Sequence, residues 1–171
     1  MLVPIHQLSQ VPPETLKTRS TFDCGVPALN QYLAQTASQH ERNHMTRTFC
    51  AVTDRKIVGY YALTTTETDV SALSDATRKR LRLPYGNIPA MRLVRLAIDI
   101  SLQGQGLGTR LLMDALKKVE TVAASTGCVG LFVDAKDNAA ATFYTGFDFK
   151  PSPSDPLLLF LPLPTIQTLF S

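Results

Sequence analysis

Residues 93–116 constrain the fold more than any other part of the chain. The run Leu93–Ile98 is mostly apolar and predicts a buried strand. A turn with three glycines follows, at positions 104, 106 and 108, and apolar residues then recur at helical spacing. A glycine-rich turn at a helix N-terminus points several backbone N–H groups and a partial positive charge at one ligand. The stretch therefore predicts a binding cradle for an anion, most simply a phosphate or pyrophosphate.

The rest of the chain predicts an α/β protein with one mixed sheet. Residues 48–53 and 57–66 are β-rich runs on either side of a short turn, which indicates an antiparallel hairpin. After the cradle come a helix, an apolar strand at 129–135, a short helix at 138–145 and a last strand at 157–161. We also expect residues 147–149 to begin a strand. This order favours a single domain, residues 1–171, with helices flanking the sheet.

Composition narrows the class of protein without naming its function. The chain has 171 residues, 44% of them hydrophobic, and a formal net charge of +3, which permits a polyanionic partner without requiring one. The three cysteines form no CxxC pair, which favours buried thiols in a reducing compartment. No signal pattern or spanning segment is apparent, so we expect a cytoplasmic protein with no membrane partner.

One motif resembles a metal site in form only. His40-Glu41-Arg42-Asn43-His44 matches the HExxH pattern of zinc proteases. Zinc ligands of that kind lie on a mostly apolar helix, whereas polar residues surround this motif and no third ligand is apparent downstream. The sequence favours the polar end of a helix and no metal.

The glycine loop alone admits several ligands. A Walker loop needs a lysine after the last glycine, and a dinucleotide fingerprint needs GxGxxG directly after a strand with an acid about 20 residues later. Neither pattern is present. A loop whose glycines serve packing only remains an alternative.

Three motifs resemble the GNAT superfamily of N-acetyltransferases. Gln103–Gly108 is similar to its Q/R-x-x-G-x-G/A signature, and Leu96–Asp99 to its central strand. Asn138–Tyr144 resembles a later motif in which an asparagine and an aromatic pair close over the cofactor. One departure is Phe147-Asp148-Phe149, which has aspartate where the family often has glycine.

The resemblance implies a fold and a cofactor. The fold is a central, mostly antiparallel sheet splayed between two parallel strands, and the cofactor is acetyl-CoA. The backbone of the central strand would hydrogen-bond the pantetheine arm of acetyl-CoA, and the glycine loop would hold its pyrophosphate. The cofactor-binding residues so implied are Leu96, Ala97, Ile98, Gln103, Gly104, Gln105, Gly106, Leu107, Gly108, Thr109, Asn138, Ala141 and Phe143.

A closer likeness, nearly end to end, is to the acetyltransferase toxins of type II toxin–antitoxin systems. It is carried by Phe22–Gly25, Thr46–Phe49, Val58–Tyr61 and Val94–Asp99. It implies acetylation of the α-amino group of aminoacyl-tRNA, a block of translation, and a ribbon-helix-helix antitoxin as partner. The apolar tail 157–170 offers a surface for that antitoxin or for a second copy in a homodimer. The alternatives are a small-molecule or protein N-acetyltransferase, and a module that binds without turnover.

Tyr144 is the candidate catalytic residue, as proton donor to the departing thiolate, and a packed aromatic is the alternative. The central strand has no carboxylate base. An α-amino group titrates near pH 8, against about 10.4 for a lysine side chain, so an aminoacyl ester needs no such base.

Four arginines are candidate tRNA-binding residues: Arg78, Arg80, Arg92 and Arg95. Arg78–Arg82 holds four cations in five residues, which favours either a solvated face or a contact with RNA phosphates. Arg95 has the further alternatives of pairing with a core carboxylate or with the phosphates of CoA.

Overall fold

The computed structural model describes residues 3–171, and seven strands form one mixed sheet. In chain order they are β1 (Ile5–Gln7), β2 (Arg47–Thr53), β3 (Lys56–Asp69), β4 (Asn87–Ile98), β5 (Gly130–Asp134), β6 (Lys150–Pro151) and β7 (Leu158–Pro162). Their order across the sheet is β1-β2-β3-β4-β5-β7-β6. The predicted mixed sheet is confirmed.

Seven α-helices lie among the strands in residues 3–171. They are α1 (Pro13–Leu16), α2 (Pro27–Gln31), α3 (Ala37–Arg42), α4 (Asp75–Arg80), α5 (Leu107–Ala123), α6 (Asn138–Thr145) and α7 (Leu163–Thr168). A π-helical turn, Tyr32–Thr36, joins α2 to α3. Within residues 3–171, no helix has both the length and the apolar character that crossing a membrane requires.

The chain packs as two compact units. One contains the chain up to Thr64 together with Val94–Ala115, and the other contains Thr65–Leu93 and Leu116–Ser171. In the first unit, β1, β2 and β3 form an antiparallel ladder. Its core contains Leu33 and Tyr60, both fully buried. The strand β3 is buried without interruption from residue 57 to residue 63, so both of its faces are covered in this ladder.

In the second unit β5 pairs with strands on both sides. It runs parallel to β4, from Met91 opposite Leu131 to Leu93 opposite Val133, and antiparallel to β7. Because β4 continues to Ile98, its last five residues extend beyond this register. That is the pattern expected of two parallel strands that splay apart. The rings of Phe132 and Phe160 pack 4.7 Å apart between centroids in the core of this unit.

The predicted strand at 147–149 is wrong. Asp148 has a φ of 69°, a left-handed conformation that ends an extended run, and the strand β6 begins only at Lys150. Aspartate is one of the few residues with a side chain that adopt this conformation readily. Asp148, at the position where the resembled motif often has glycine, therefore takes a conformation that glycine adopts without strain.

All three cysteines, Cys24, Cys50 and Cys128, are buried and free of disulfides. Burial, followed by the nearby charge of Glu41, raises the pKa of Cys50 to about 12. Burial also raises the pKa of Cys128. The prediction of buried thiols is confirmed.

Gly130→Ala tests the packing of the second unit. Gly130 has a φ of +155°, and an added methyl group would overlap the carbonyl oxygen of Leu161 and lie 2.8 Å from the Phe160 ring. We expect the free energy of unfolding to fall by about 3 kcal/mol in a urea titration. Gly127→Ala is the matched control, because its added methyl group meets only Pro89, at 3.7 Å. Equal stability of the two variants would contradict the packing described.

Candidate active site

The glycine loop has the geometry of an anion cradle. Gly104 and Gly106 have φ values of +77° and +85°, and the space where a side chain would project from each is open. Helix α5 begins directly afterwards, at Leu107. The first N–H groups of an α-helix have no acceptor within the helix, so they are available to a ligand. An exposed loop of this shape fits a diphosphate.

A turn far away in the sequence braces this cradle. The side-chain amide of Gln103 donates to the carbonyl oxygens of Ile98 and Cys24, each at 2.9 Å. The N–H of Ile100 donates to the carbonyl oxygen of Asp23 at 2.8 Å. Sequence analysis identified Phe22–Gly25 only as a point of family likeness. Its structural role comes from hydrogen bonds between residues that lie 76 or more positions apart in the sequence. No local sequence pattern predicts such bonds.

Asp99 fixes the segment between the strand and the loop. One carboxylate oxygen accepts hydrogen bonds from the N–H and hydroxyl of Ser101, and the other accepts from the N–H of Asp23. Partial burial works to raise the pKa of Asp99, but the hydrogen bonds from Ser101 and Asp23 outweigh it and lower that pKa. The carboxylate therefore stays ionised at neutral pH and keeps all three hydrogen bonds.

Tyr144 is packed, and its environment also keeps its proton in place. It lies on α6, whose N-terminus is capped by Asp137, and it is 5% exposed. Its ring contacts those of Phe143 and Phe149 at centroid distances of 5.2 and 5.5 Å. Burial and, second, the charge of Asp134 raise its pKa above the ordinary tyrosine value. The hydroxyl is thus a neutral donor at physiological pH.

The other predicted residues of α6 lie on the same helix. Asn138 is its first residue and is exposed, Ala141 is half-buried, and Phe143 packs between Tyr144 and Phe147. The structure gives α6 the bounds predicted from the sequence. The cofactor roles of these residues stay predictions.

Arg92 and Arg95 have different partners. Arg92 donates two hydrogen bonds to the carboxylate of Asp134, at 2.7 and 2.6 Å, and this pairing raises the pKa of Arg92. The guanidinium of Arg95 lies over the ring of Tyr32, 4.1 Å from its centroid, and the structure records no ion pair for Arg95 in residues 3–171. The charge of Arg92 is therefore compensated by a carboxylate, whereas that of Arg95 rests on an aromatic face.

The HExxH residues turn away from one another. His40 meets the hydroxyl of Tyr32 at 3.2 Å, and His44 meets Arg47 at 3.0 Å. Glu41 is buried, and accepts hydrogen bonds from the Gln7 side chain and from the N–H of Thr48. In the part of the chain that the structure describes, no group of three or more His, Cys, Asp or Glu side chains could hold a metal ion.

The basic cluster 78–82 is partly packed. The guanidinium of Arg78 lies 4.4 Å from the centroid of the Tyr85 ring and donates to the carbonyl oxygen of Leu83 at 3.4 Å. Arg80 approaches the hydroxyl of Thr165 at 3.4 Å, on the wall of a cavity of about 270 Å³ that Asp148 and Lys150 also line. A purely solvated face does not describe this cluster.

A mixed sheet, a glycine loop that opens a helix, and a tyrosine near the end of the following short helix define a class, the acyltransferases that use coenzyme A. The family model "Acetyltransferase (GNAT) domain" matches residues 44–151. The chain belongs to this family of acetyltransferases, and its cofactor is acetyl-CoA.

Similar proteins cover nearly the whole chain. A tRNA-acetylating toxin of Mycobacterium tuberculosis is 37% identical over 83% of this chain and 84% of its own length. The structure of AtaT complexed with acetyl-methionyl-tRNAfMet has a TM-score of 0.86 and 35% identity, over 99% of this chain and 100% of that one. A tyrosine-to-phenylalanine mutant of AtaT, bound to the C-terminus of the antitoxin AtaR and acetyl-CoA, has a TM-score of 0.80 and 33% identity, over 99% of both chains.

Gln103→Ala tests the brace. The backbone of the cradle would remain but lose two hydrogen bonds that fix its shape, so we expect the KM for acetyl-CoA to rise about tenfold. Steady-state kinetics at saturating acceptor measure the change. Gln10→Ala is the control, since Gln10 is an exposed glutamine in the same unit. An unchanged KM in Gln103→Ala would show that the cradle keeps its shape without the brace.

Proposed function

We propose that this chain is a toxin that acetylates the α-amino group of aminoacyl-tRNA and thereby blocks translation. The observation that carries the proposal is the similarity to a tRNA-acetylating toxin, over 83% of this chain, and to AtaT, which binds acetyl-methionyl-tRNA, over 99% of it. The region of this chain that is matched includes the sheet, the cradle and Tyr144.

The residues of β4 agree with such an acceptor. Asn87–Ile98 contains no aspartate or glutamate, and its charged residues are Arg92 and Arg95. A lysine acceptor would be almost fully protonated at neutral pH and would need a base. An α-amino group with a pKa near 8 is already partly neutral, so water can take the proton after attack.

Each part of the site has a distinct task in this proposal. Acetyl-CoA, when bound, supplies an acetyl group activated as a thioester. The N–H groups of residues 104–109 hold its pyrophosphate, and the backbone of Leu96–Ile98 bonds the pantetheine arm. The Tyr144 hydroxyl donates its proton to the departing thiolate, and the raised pKa of Tyr144 keeps that proton on the hydroxyl until the transfer.

The arginines differ in whether the N–H groups of their guanidiniums remain available to bind a phosphate. Arg95 keeps its guanidinium edges free of a carboxylate, and Arg78 and Arg80 belong to a cluster of four cations. These three are the better candidates for contacts with tRNA phosphates. Arg92 has two donors committed to Asp134, so its contribution is to the local charge balance.

The antitoxin proposed as partner is a ribbon-helix-helix protein. AtaT binds the C-terminus of an antitoxin, AtaR, which supports an antitoxin as the partner, and the ribbon-helix-helix type is what the family resemblance implies. In this chain most apolar side chains of the tail 157–170 are buried or half-buried in the protein's own core, and Leu169 is 47% exposed, so the proposed contact of the tail with the antitoxin or with a second copy in a homodimer would be made through Leu169. The expected site of action is the cytoplasm, where charged tRNA is found.

Tyr144→Phe tests the proton donor. Removing the hydroxyl keeps the packed ring but leaves the thiolate without its acid, so we expect kcat to fall about 100-fold or more. Single-turnover transfer from labelled acetyl-CoA to aminoacyl-tRNA measures the loss. Tyr60→Phe is the matched control, because the hydroxyl of Tyr60, also buried, donates to the carbonyl oxygen of Leu29. A Tyr144→Phe enzyme with full kcat would remove Tyr144 from the chemistry.

The pH profile tests the acceptor. We expect kcat/KM for aminoacyl-tRNA to rise with pH up to about 8, as the α-amino group loses its proton, and then to level off. Because the pKa of Tyr144 is raised, the donor stays protonated and causes no decline up to about pH 9. Parallel reactions with polyamines, with peptides and with uncharged tRNA complete the experiment. Faster transfer to a polyamine or peptide than to aminoacyl-tRNA would overturn the proposal.

A further inference from the structure

We propose that Tyr85 and the cations around it form a stacking platform for an unpaired base of the RNA substrate. The platform consists of Tyr85, Arg78, Lys79 and Arg82. This inference rests on the proposed function and adds to it a site where the RNA is gripped through a base as well as through its phosphates.

Tyr85 is exposed to an unusual degree for a tyrosine. It lies on the loop between α4 and β4 and is 80% exposed. The guanidinium of Arg78 lies 4.4 Å from the centroid of its ring. The cation orients the ring, and most of the ring surface remains open to solvent. A ring held in this way presents a π-face to which any of the four bases can stack.

The loop that carries Tyr85 is fixed at both ends. At its start, the N–H of Leu83 donates to the carbonyl oxygen of Arg78 at 3.1 Å. At its end, the carbonyl oxygen of Gly86 accepts from the N–H of Val70 at 2.8 Å. Leu81 and Leu83 pack against the core of the second unit, so the loop is anchored by its leucines while Tyr85 projects outward. A base that stacks there need not order a mobile loop, which lowers the cost of binding.

The charges beside the ring suit a polyanion. Residues 74–87 contain four cations and a single acid, Asp75. Lys79 and Arg82 are both exposed. Such a density of lysine and arginine binds phosphates and releases their counterions. A nucleotide whose base stacks on the Tyr85 ring and whose flanking phosphates contact the cations would use both the exposed ring and the positive charge beside it.

The combination points to an unpaired nucleotide of RNA. Bases inside an A-form duplex are stacked on one another, whereas an unpaired nucleotide can place its base on an aromatic side chain. An acidic protein would also be held by the cations, but a nucleic acid places a flat base and its own phosphates side by side, which matches an exposed ring beside a cluster of cations. RNA is therefore the partner we assign to this surface.

The chain contains no tryptophan, so Tyr85→Trp creates a single tryptophan at the platform, which can be excited selectively over the four remaining tyrosines. We expect its emission to be quenched by a short single-stranded oligoribonucleotide and by uncharged tRNA, because a base stacks on the indole. Inorganic polyphosphate and an acidic peptide, which carry charge without bases, should leave the emission nearly unchanged. Equal quenching by polyphosphate, or none with saturating tRNA, would overturn the platform. Quenching by the acidic peptide alone would assign the surface to a protein partner.

A second measurement separates stacking from charge. We expect Tyr85→Ala to raise the Kd for tRNA about tenfold at every salt concentration, since stacking is largely independent of salt. Lys79→Gln should instead reduce the slope of log K against log salt by about one, with little effect at high salt. Tyr85→Phe should bind as the wild type does. Met45→Ala, at another exposed apolar side chain, is the control.

The outcomes distinguish this inference from the proposed function. If the wild type acetylates aminoacyl-tRNA and Tyr85→Ala binds tRNA with an unchanged Kd, the platform is wrong and the function stands. If the wild type transfers no acetyl group to aminoacyl-tRNA, the function is wrong. Base-specific quenching of Tyr85→Trp would then still establish the platform as an RNA-binding surface.

Discussion

The amide of Gln103 holds together two segments that lie far apart in the sequence. With one NH₂ group it bonds the end of strand β4 at Ile98 and the turn at Cys24. Asp99 repeats this link through the N–H of Asp23. The glycines of the cradle supply conformational freedom, and freedom alone would leave the loop in many shapes. The cradle is preorganised because the side chains of Gln103 and Asp99 hold its backbone in one shape through hydrogen bonds. A precise binding site usually requires such support.

The arginines show how a protein controls which positive charges remain available. A carboxylate in a two-bond pair occupies the donors of Arg92 and cancels its charge. An aromatic ring supports Arg95 and Arg78 from the face and cancels neither charge, although Arg78 also donates to the carbonyl oxygen of Leu83. Three residues of one type therefore differ in what they can bind. The difference lies in their neighbours, Asp134, Tyr32 and Tyr85.

The sequence predicted the elements whose signal is local. Helix α6 has the predicted bounds, and the Asp137 side chain that caps it by accepting from the N–H of Ala140 is a local interaction. The strand expected at 147–149 failed because the left-handed backbone at Asp148 is set by the turn and is not visible in a run of aromatic residues. The cradle's glycines were evident, but its brace at Asp23 and Cys24 was not, since hydrogen bonds between distant segments leave no spacing to detect. The HExxH motif is the opposite case, a local pattern that does not form the site it resembles. Its Glu41 instead accepts hydrogen bonds from β2 and from the N-terminal segment.

The burial of the thiols bears on how turnover can be followed. Thiolates, and not thiols, react with disulfides and alkylating agents, so a cysteine with a pKa of about 12, such as Cys50, is almost inert at neutral pH. Cys24 and Cys128 are shielded by the protein as well. Every acetyl transfer liberates one molecule of coenzyme A, whose thiol is free in solution. A chromogenic disulfide added to the folded enzyme should consequently count reaction cycles against a nearly silent protein background.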